Sequence, residues 1–418
     1  MLSLAPPTAR TASIVRPSRT SLRFMPEALG IAGLDPGACM VAAGVLSAGA
    51  AVAQVPRRAQ RLRKRKAVLS PPSRLPDFLR TPLLIPAESE REPTVLVDCG
   101  SGSTRALYFQ DDGRSHVAWE KSEWRGEPLA KALHCELRVE KLLRLLEKEL
   151  SQLTAKGPVL LGATAGVRHA VEDGSLPESK LQLFRDRLHE TFGPRARFMV
   201  LSGQEEARAE WEALQHALDF APDLSRDHFD GMLSGGGMSC QLVLRRDGSS
   251  PDLFSFRNGV LAPAGLADRA GRGELLAEDL AAELDVLQRK AEEQAARLPR
   301  VAADGFALVE WLGLFVAGES TERDQVLGMG YERWLSRQEI LERVSAHLAK
   351  LATQYSPGAG PVPRRAAISL NYGIILRAVL QRCFHAGSRF YCLKGVNWST
   401  GHYLLHREVL EQSALQQV

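Results

Sequence analysis

The segment Asp98-Cys-Gly-Ser-Gly-Ser-Thr-Arg105 lies between two short apolar runs at residues 94–97 and 106–109. Two such runs joined by a glycine turn predict a β-hairpin. Glycine lets the main chain approach a ligand without a Cβ in the way, and such turns present N–H groups to anions. Three further turns of this kind follow predicted strands, at Gly162-Ala-Thr-Ala-Gly-Val-Arg168, Ser202-Gly-Gln-Glu-Glu206 and Ser234-Gly-Gly-Gly-Met-Ser-Cys-Gln241.

Short apolar runs alternate with amphipathic helices from residue 94 onward, which predicts an α/β fold. Strands predicted at 232–233, 241–245 and 252–256 repeat the order of strand, glycine turn and strand found at residue 94, so we infer a weak internal duplication. The other predicted strands are 159–161, 197–201 and 390–393. Helices are predicted at 178–191, 204–218, 274–298, 306–316, 337–354 and 372–384, with a last helix from Trp398.

Positive charge is concentrated at the start of the chain. The 418 residues carry 53 Lys and Arg against 49 acids, but residues 1–66 hold 11 of the basic residues and only 2 acids. The remainder is therefore slightly acidic, which gives no support to nucleic-acid binding by the folded part.

The first 66 residues are interpreted as a targeting leader or a weak membrane anchor. Residues 1–26 are rich in Arg, Ser and Thr and contain no acid, as in a transit peptide, and residues 37–55 form an uncharged run just long enough to cross a bilayer. We favour a cleaved leader directing the chain to a plastid or mitochondrion; an anchor in the endomembrane system and a disordered tail are the alternatives. Residues 67–91 are a proline-rich linker.

The six cysteines include no Cys-x-x-Cys pair, which argues against a structural zinc site. Cys383 and Cys392 flank a predicted turn and are the candidates for a disulfide in an oxidising compartment.

Five ordered segments of the chain resemble the motifs of the apyrase-type nucleoside phosphatase family, which includes guanosine diphosphatases and ecto-apyrases. They are the four glycine turns, the third extended to Trp211, and Trp398-Ser-Thr-Gly401. The chain also resembles the related exopolyphosphatase and guanosine pentaphosphatase family, through Ala207 and through Asn258-Gly-Val-Leu261. Five matches in order are a far stronger signal than one glycine motif.

The resemblance implies a fold of two ribonuclease H-like lobes that face each other across a cleft, as in actin and the sugar kinases. Residues 92–200 would form the first lobe and residues 201–396 the second, with a helix over 397–418 returning to the first. Function still has to be argued from the site.

The resemblance also implies roles for individual residues. Glu206 would be the general base, with Ser239 and Gln241 orienting the attacking water. Asp98, and Thr164 through water, would hold Mg²⁺ or Ca²⁺. Phosphate would be held by the residues of the first and fourth turns: Ser101, Gly102, Ser103, Thr104, Gly235, Gly236, Gly237 and Met238. Ser234 stands where the family has an Asp, which weakens a hard-cation site.

The implied activity is cation-dependent hydrolysis of nucleoside di- or triphosphates to lower phosphates and orthophosphate. The alternatives are hydrolysis of polyphosphate or guanosine pentaphosphate, and a catalytically weak nucleotide-binding or regulatory protein, which Ser234 motivates. Arg168 is equally consistent with a phosphate contact and with a structural ion pair. The expected partner is a nucleotide substrate, with membrane association possible through residues 37–55; no protein partner is predicted.

Overall fold

A computed structural model describes residues 93–111, 117–152, 157–219, 221, 223–246, 249–309, 311, 333–393 and 395–415. The predicted leader, the apolar run at 37–55 and the proline-rich linker lie outside the described residues. Among the helices within the described ranges, none is long and apolar enough to span a bilayer.

The first sheet contains five strands in the order β3-β2-β1-β4-β5. The first three strands pair antiparallel, whereas β1, β4 and β5 run parallel. Its strands are β1 (Thr94–Cys99), β2 (Thr104–Asp111), β3 (Val117–Gly126), β4 (Val159–Ala163) and β5 (Ala196–Val200). The helices between them are α1 (Leu129–Ala132), α2 (Glu136–Gln152), α3 (Ala165–Glu172) and α4 (Glu178–Phe192).

The second sheet contains six strands in the order β10-β11-β9-β6-β7-β8. It follows α5 (Gly203–Asp219) in the chain. Its strands are β6 (Gly231–Gly235), β7 (Ser239–Arg246), β8 (Ser249–Arg257), β9 (Gly305–Val309), β10 (Trp334–Ser336) and β11 (Arg389–Leu393). The other helices are α6 (Leu266–Gly271), α7 (Ala277–Ala296), α8 (Arg337–Gln354), α9 (Arg364–Cys383) and α10 (Trp398–Leu415).

The two sheets share one topology. In each, three antiparallel strands come first, and two later strands then extend the sheet in parallel on the far side of the first strand. The second sheet adds β10 at its edge, antiparallel to β11. The predicted α/β fold of two related lobes and the internal duplication are thus confirmed. The lobe boundaries at residues 200 and 396 stay a prediction.

Helices cover both faces of each sheet. On the first sheet, α2 and α4 pack on one face and the beginning of α10 packs on the other. On the second sheet, α7, α8 and α9 pack on one face and α5 on the other. The helices α5 and α10 also pack on each other. Gly401 of α10 lies against the backbone carbonyl of Ala209 in α5, so a side chain at position 401 has no room.

The helix predicted at 306–316 is wrong, because residues 305–309 form β9 in the middle of the second sheet. Every residue of β9 is buried. A strand covered on both faces is a continuous apolar run, and periodicity alone does not distinguish it from a buried helix. Residues 312–316 lie outside the described ranges. The helix predicted at 372–384 is present, but it begins at Arg364.

The suggested disulfide between Cys383 and Cys392 does not form. Both are free thiols, one in α9 and the other in β11. Burial raises the pKa of the Cys392 thiol to about 12. A buried thiol of this kind acts as a small apolar side chain.

Gly401→Ala is expected to destabilise the protein, because the new methyl group would collide with the carbonyl oxygen of Ala209, which belongs to helix backbone. The expected loss is about 1–3 kcal/mol of unfolding free energy, although Gly to Ala inside a helix is usually favourable. Gly271→Ala is the control, since its methyl would meet only the flexible side chain of Arg364. Urea denaturation measures both variants, and equal stability of the two would contradict a tight crossing.

Candidate active site

The first and fourth glycine turns meet between the two sheets. The first turn follows β1 and the fourth follows β6, the corresponding strands of the duplication. Ser101 lies against Gly237, so a Cβ at position 237 would collide with the serine hydroxyl. Leu261 packs against Gly237 and beside Gly102. The duplicated turns are therefore in contact with each other, and their joint role in holding phosphate stays a prediction.

The fourth turn is held from behind by its carbonyl groups. The carbonyl oxygen of Gly236 accepts hydrogen bonds from the Tyr372 hydroxyl at 2.7 Å and from the Asn258 amide, and that of Gly237 accepts from the Leu261 N–H at 2.9 Å. Among hydrogen bonds between described residues, none uses the N–H of Gly237 or of Met238. These N–H groups are the ones left to receive an anion.

The predicted phosphate ligands of the first turn lie in two different environments. Ser101 and Gly102 border the second lobe, and Ser103 follows them in the same turn. Thr104 belongs to β2, is buried, and donates its hydroxyl to the carbonyl oxygen of Glu127 at 2.7 Å. Its proton is thus already used, and a phosphate contact through this hydroxyl stays a prediction without geometric support.

Glu206 is buried in the first turn of α5, with 7% of its surface exposed. Its Oε2 lies 3.1 Å from Nη1 of Arg168, which also donates to the carbonyl of Leu201 at 2.8 Å. Ser239 lies beside this pair, 3.4 Å from Nη2 of Arg168, and accepts a 2.9 Å hydrogen bond from Gln241. The predicted base and water-orienting residues therefore converge on Arg168.

Burial raises the pKa of Glu206 above its ordinary value of 4.5. The guanidinium of Arg168 and the hydroxyl of Ser239 pull this pKa down, and the charge of Asp98 pushes it up, but loss of hydration is the largest effect. A carboxylate with a raised pKa is a better proton acceptor than one in water.

The adjacent acid, Glu205, caps the helix. Its carboxylate accepts the N–H of Ser202 at 2.7 Å, and the Ser202 hydroxyl accepts the N–H of Glu205 at 3.1 Å. This reciprocal pair is a capping box that begins α5. Because Glu205 is used in the cap and is exposed, Glu206 alone of the two faces the site.

Asp98 is buried at the end of β1, with its two carboxylate oxygens bound separately. Oδ1 accepts the indole N–H of Trp398 at 2.9 Å, and Oδ2 pairs with Arg105. Arg105 is thus an ion-pair partner of the predicted metal ligand. The ring of Trp398 fills the space over Gly162, which is next to Asp98 in the neighbouring strand.

The donor set for a cation is small. Within the described ranges, no group of three or more His, Cys, Asp or Glu side chains is placed to hold a metal ion. Thr164 is buried at the start of α3, where its side chain does not cap the helix. Ser234 is also buried, opposite Gln241 in the β6–β7 pairing, so the two side chains share a face. One carboxylate suits a Mg²⁺ ion that is also bound by substrate phosphates and water, and does not suit a resident ion.

Solved structures are similar to this chain, whereas no protein-family model and no curated protein matches it. The Aquifex aeolicus member of the Ppx/GppA protein family is similar at 15% identity and a TM-score of 0.48, over 77% of this chain and 98% of that one. An exopolyphosphatase from Cytophaga hutchinsonii gives the same four values. Identities of this size do not carry residue roles from one chain to the other.

Asn258 and Tyr372, which hold the fourth turn, were not predicted as part of the site. Arg168 pairs with Glu206, which is the ion-pair alternative of its two predicted roles, and Arg105 pairs with Asp98. Asn258 carried a signal, because it begins the segment that resembles the exopolyphosphatase family. Tyr372 lies 136 residues from the carbonyl it binds, and no local pattern marks such a contact.

Trp398→Phe is expected to reduce the free energy of unfolding by about 1.5–3 kcal/mol more than Trp311→Phe. This difference is the usual contribution of a hydrogen bond to a charged group. Both rings are buried against a glycine. The indole N–H of Trp398 binds Asp98, whereas that of Trp311 has no hydrogen-bond partner among described residues. Urea denaturation of both variants measures the difference, and equal losses would mean that the Asp98 contact contributes nothing.

Proposed function

We propose that the chain hydrolyses terminal phosphoanhydride bonds, with inorganic polyphosphate as the preferred substrate. The observation that carries the proposal is the buried convergence of Glu206, Ser239 and Gln241 beside two facing glycine turns. Hydrolysis of a terminal phosphate needs a base for the water, groups that orient it, and N–H groups or cations for the developing charge. These three requirements match the three parts of the site.

Glu206 takes the proton of the attacking water, because its raised pKa makes it the stronger base of the two adjacent glutamates. Ser239, fixed by Gln241, orients the water toward the phosphorus. The free N–H groups of Gly237 and Met238 receive the charge that develops on the phosphate oxygens. A divalent cation shared by Asp98 and substrate phosphates would supply further charge neutralisation.

We place polyphosphate first because the segment that braces the fourth turn resembles the exopolyphosphatase family. Asn258 and Leu261, the ends of the stretch that resembles the exopolyphosphatase family, bind the carbonyls of Gly236 and Gly237. Nucleoside di- and triphosphates are the second candidate class, favoured by Trp398, which belongs to the apyrase-like fifth motif and binds Asp98.

Glu206→Gln is expected to lower phosphate release by about 10²–10⁴-fold, the usual contribution of a general base. Phosphate release by the full chain is measured with long-chain polyphosphate, guanosine pentaphosphate, ATP and GDP, each with Mg²⁺ and with a chelator. Glu205→Gln is the matched control, since that side chain caps α5 and does not enter the site.

Full activity of Glu206→Gln would exclude Glu206 as the base. Faster release from nucleotides than from polyphosphate would favour the second substrate class. Binding of these ligands without any turnover by the unmodified chain would instead support a regulatory protein.

The pH profile of kcat/KM is expected to have an acidic limb above pH 4.5, because the base must be unprotonated and its pKa is raised. Activity thus falls as the pH falls through this pKa. Arg168→Met removes the attraction that holds the pKa down, so its limb is expected at higher pH than that of the unmodified chain. Arg168→Lys keeps the charge and serves as a folded control. A limb at the same pH in all three proteins would contradict this assignment.

A further inference from the structure

A second cavity, of about 420 Å³, opens on the second lobe away from the glycine turns. It lies between α5, the β7–β8 hairpin and a 3₁₀ turn at Arg226–His228. The side chains that line it include Trp211, Gln215, Arg226, Arg245, Arg246 and Ser250. Gln215 and Glu206 are nine residues apart on α5, which at 1.5 Å per residue separates them by about 13 Å along the helix.

Three guanidinium groups line the cavity, and each is ion-paired with an aspartate next to it. Each of its three arginines is oriented by an aspartate: the Nε atoms of Arg226 and Arg246 contact Asp219 at 2.8 Å and Asp252 at 2.6 Å, and Nη2 of Arg245 contacts Asp227 at 3.1 Å. No acid is among the described residues that line the cavity. A second nitrogen of each arginine is also used: Nη2 of Arg226 and of Arg246 contacts the same aspartate, and Nη1 of Arg245 donates to the carbonyl of Arg226 at 2.8 Å. Because a guanidinium has five N–H donors, each arginine keeps further donors for a ligand.

The amide of Gln215 points to a ligand independently of the arginines. Gln215 lines the cavity, is only 8% exposed, and its Nε2 has no hydrogen-bond partner among the described residues. A buried donor without a partner is unfavourable, so such groups mark places where another molecule completes the hydrogen bonding. Trp211 lies one helical turn earlier on the same face of α5 and closes one side of the cavity.

We propose that this cavity binds a second phosphate-bearing anion, larger than orthophosphate. Its polar lining offers guanidinium and amide donors, and guanidinium forks match the geometry of phosphate oxygens. The volume is many times the ~30 Å³ that one water molecule occupies, which leaves room for several phosphate groups. A short inorganic oligophosphate and the phosphate chain of a nucleotide share this chemistry.

Titration calorimetry of the full chain with tripolyphosphate and with ATP tests the proposal. Glu206→Gln is used as the background, so that the ligands are not consumed. In that background we expect Arg245→Met, Arg246→Met and Gln215→Leu each to weaken one binding event at least tenfold. Arg144→Met is the matched control. Arg144 is also an exposed arginine paired with an acid, Glu140, but it belongs to α2 on the first sheet and does not line the cavity.

Arg245 and Arg246 are exposed, so their variants are expected to fold and, with Glu206 intact, to release phosphate at the unmodified rate. Weaker binding of both tripolyphosphate and ATP would identify the phosphate chain as the part that the cavity recognises. Weaker binding of only one of them would identify that ligand as the source of the phosphate chain. Binding in Arg245→Met and Arg246→Met that equals binding in Arg144→Met would overturn the proposal. Loss of hydrolysis in Glu206→Gln is a separate result and leaves this one unaffected.

Discussion

Asp98 and Glu206, the two carboxylates of the proposed site, are buried, and each is paired with an arginine. A buried carboxylate without a partner is strongly destabilising, so each pair constrains the backbone around it. The pair of Glu206 with Arg168 joins α5 to α3, and the same guanidinium reaches Ser239 of β7. One side chain from the first lobe thus binds two elements of the second, and the arrangement of the proposed site depends on it.

The crossing of α5 and α10 brings these charges together. Gly401 permits backbone contact at the crossing, which places the start of α10 over the first sheet, where Trp398 covers Gly162 and binds Asp98. A helix from the end of the chain therefore completes a site that begins with the first strand. The same helix α5 carries Glu206 at one end and the arginine-lined cavity nearer the other.

Much of the fold was predictable because its signals are local. Glycine turns after short apolar runs indicated both hairpins, and the helix predicted at 204–218 after the third turn is present as α5. The prediction failed at residues 306–309, where burial on both faces of β9 removes the alternation that distinguishes a strand. The bracing contacts of Asn258 and Tyr372 were missed because they join distant parts of the chain.

Local sequence patterns establish the α/β class, the duplicated hairpins and the residue types available to the site, since periodicity and turn chemistry act over a few residues. Long-range packing decided which of two adjacent glutamates is buried, and that Arg168 is its partner rather than a free phosphate ligand. It also decided that Asp98 is divided between Trp398 and Arg105. Local patterns do not reveal these contacts, because hydration and charge pairing, which set the pKa of Glu206, depend on neighbours supplied by remote segments.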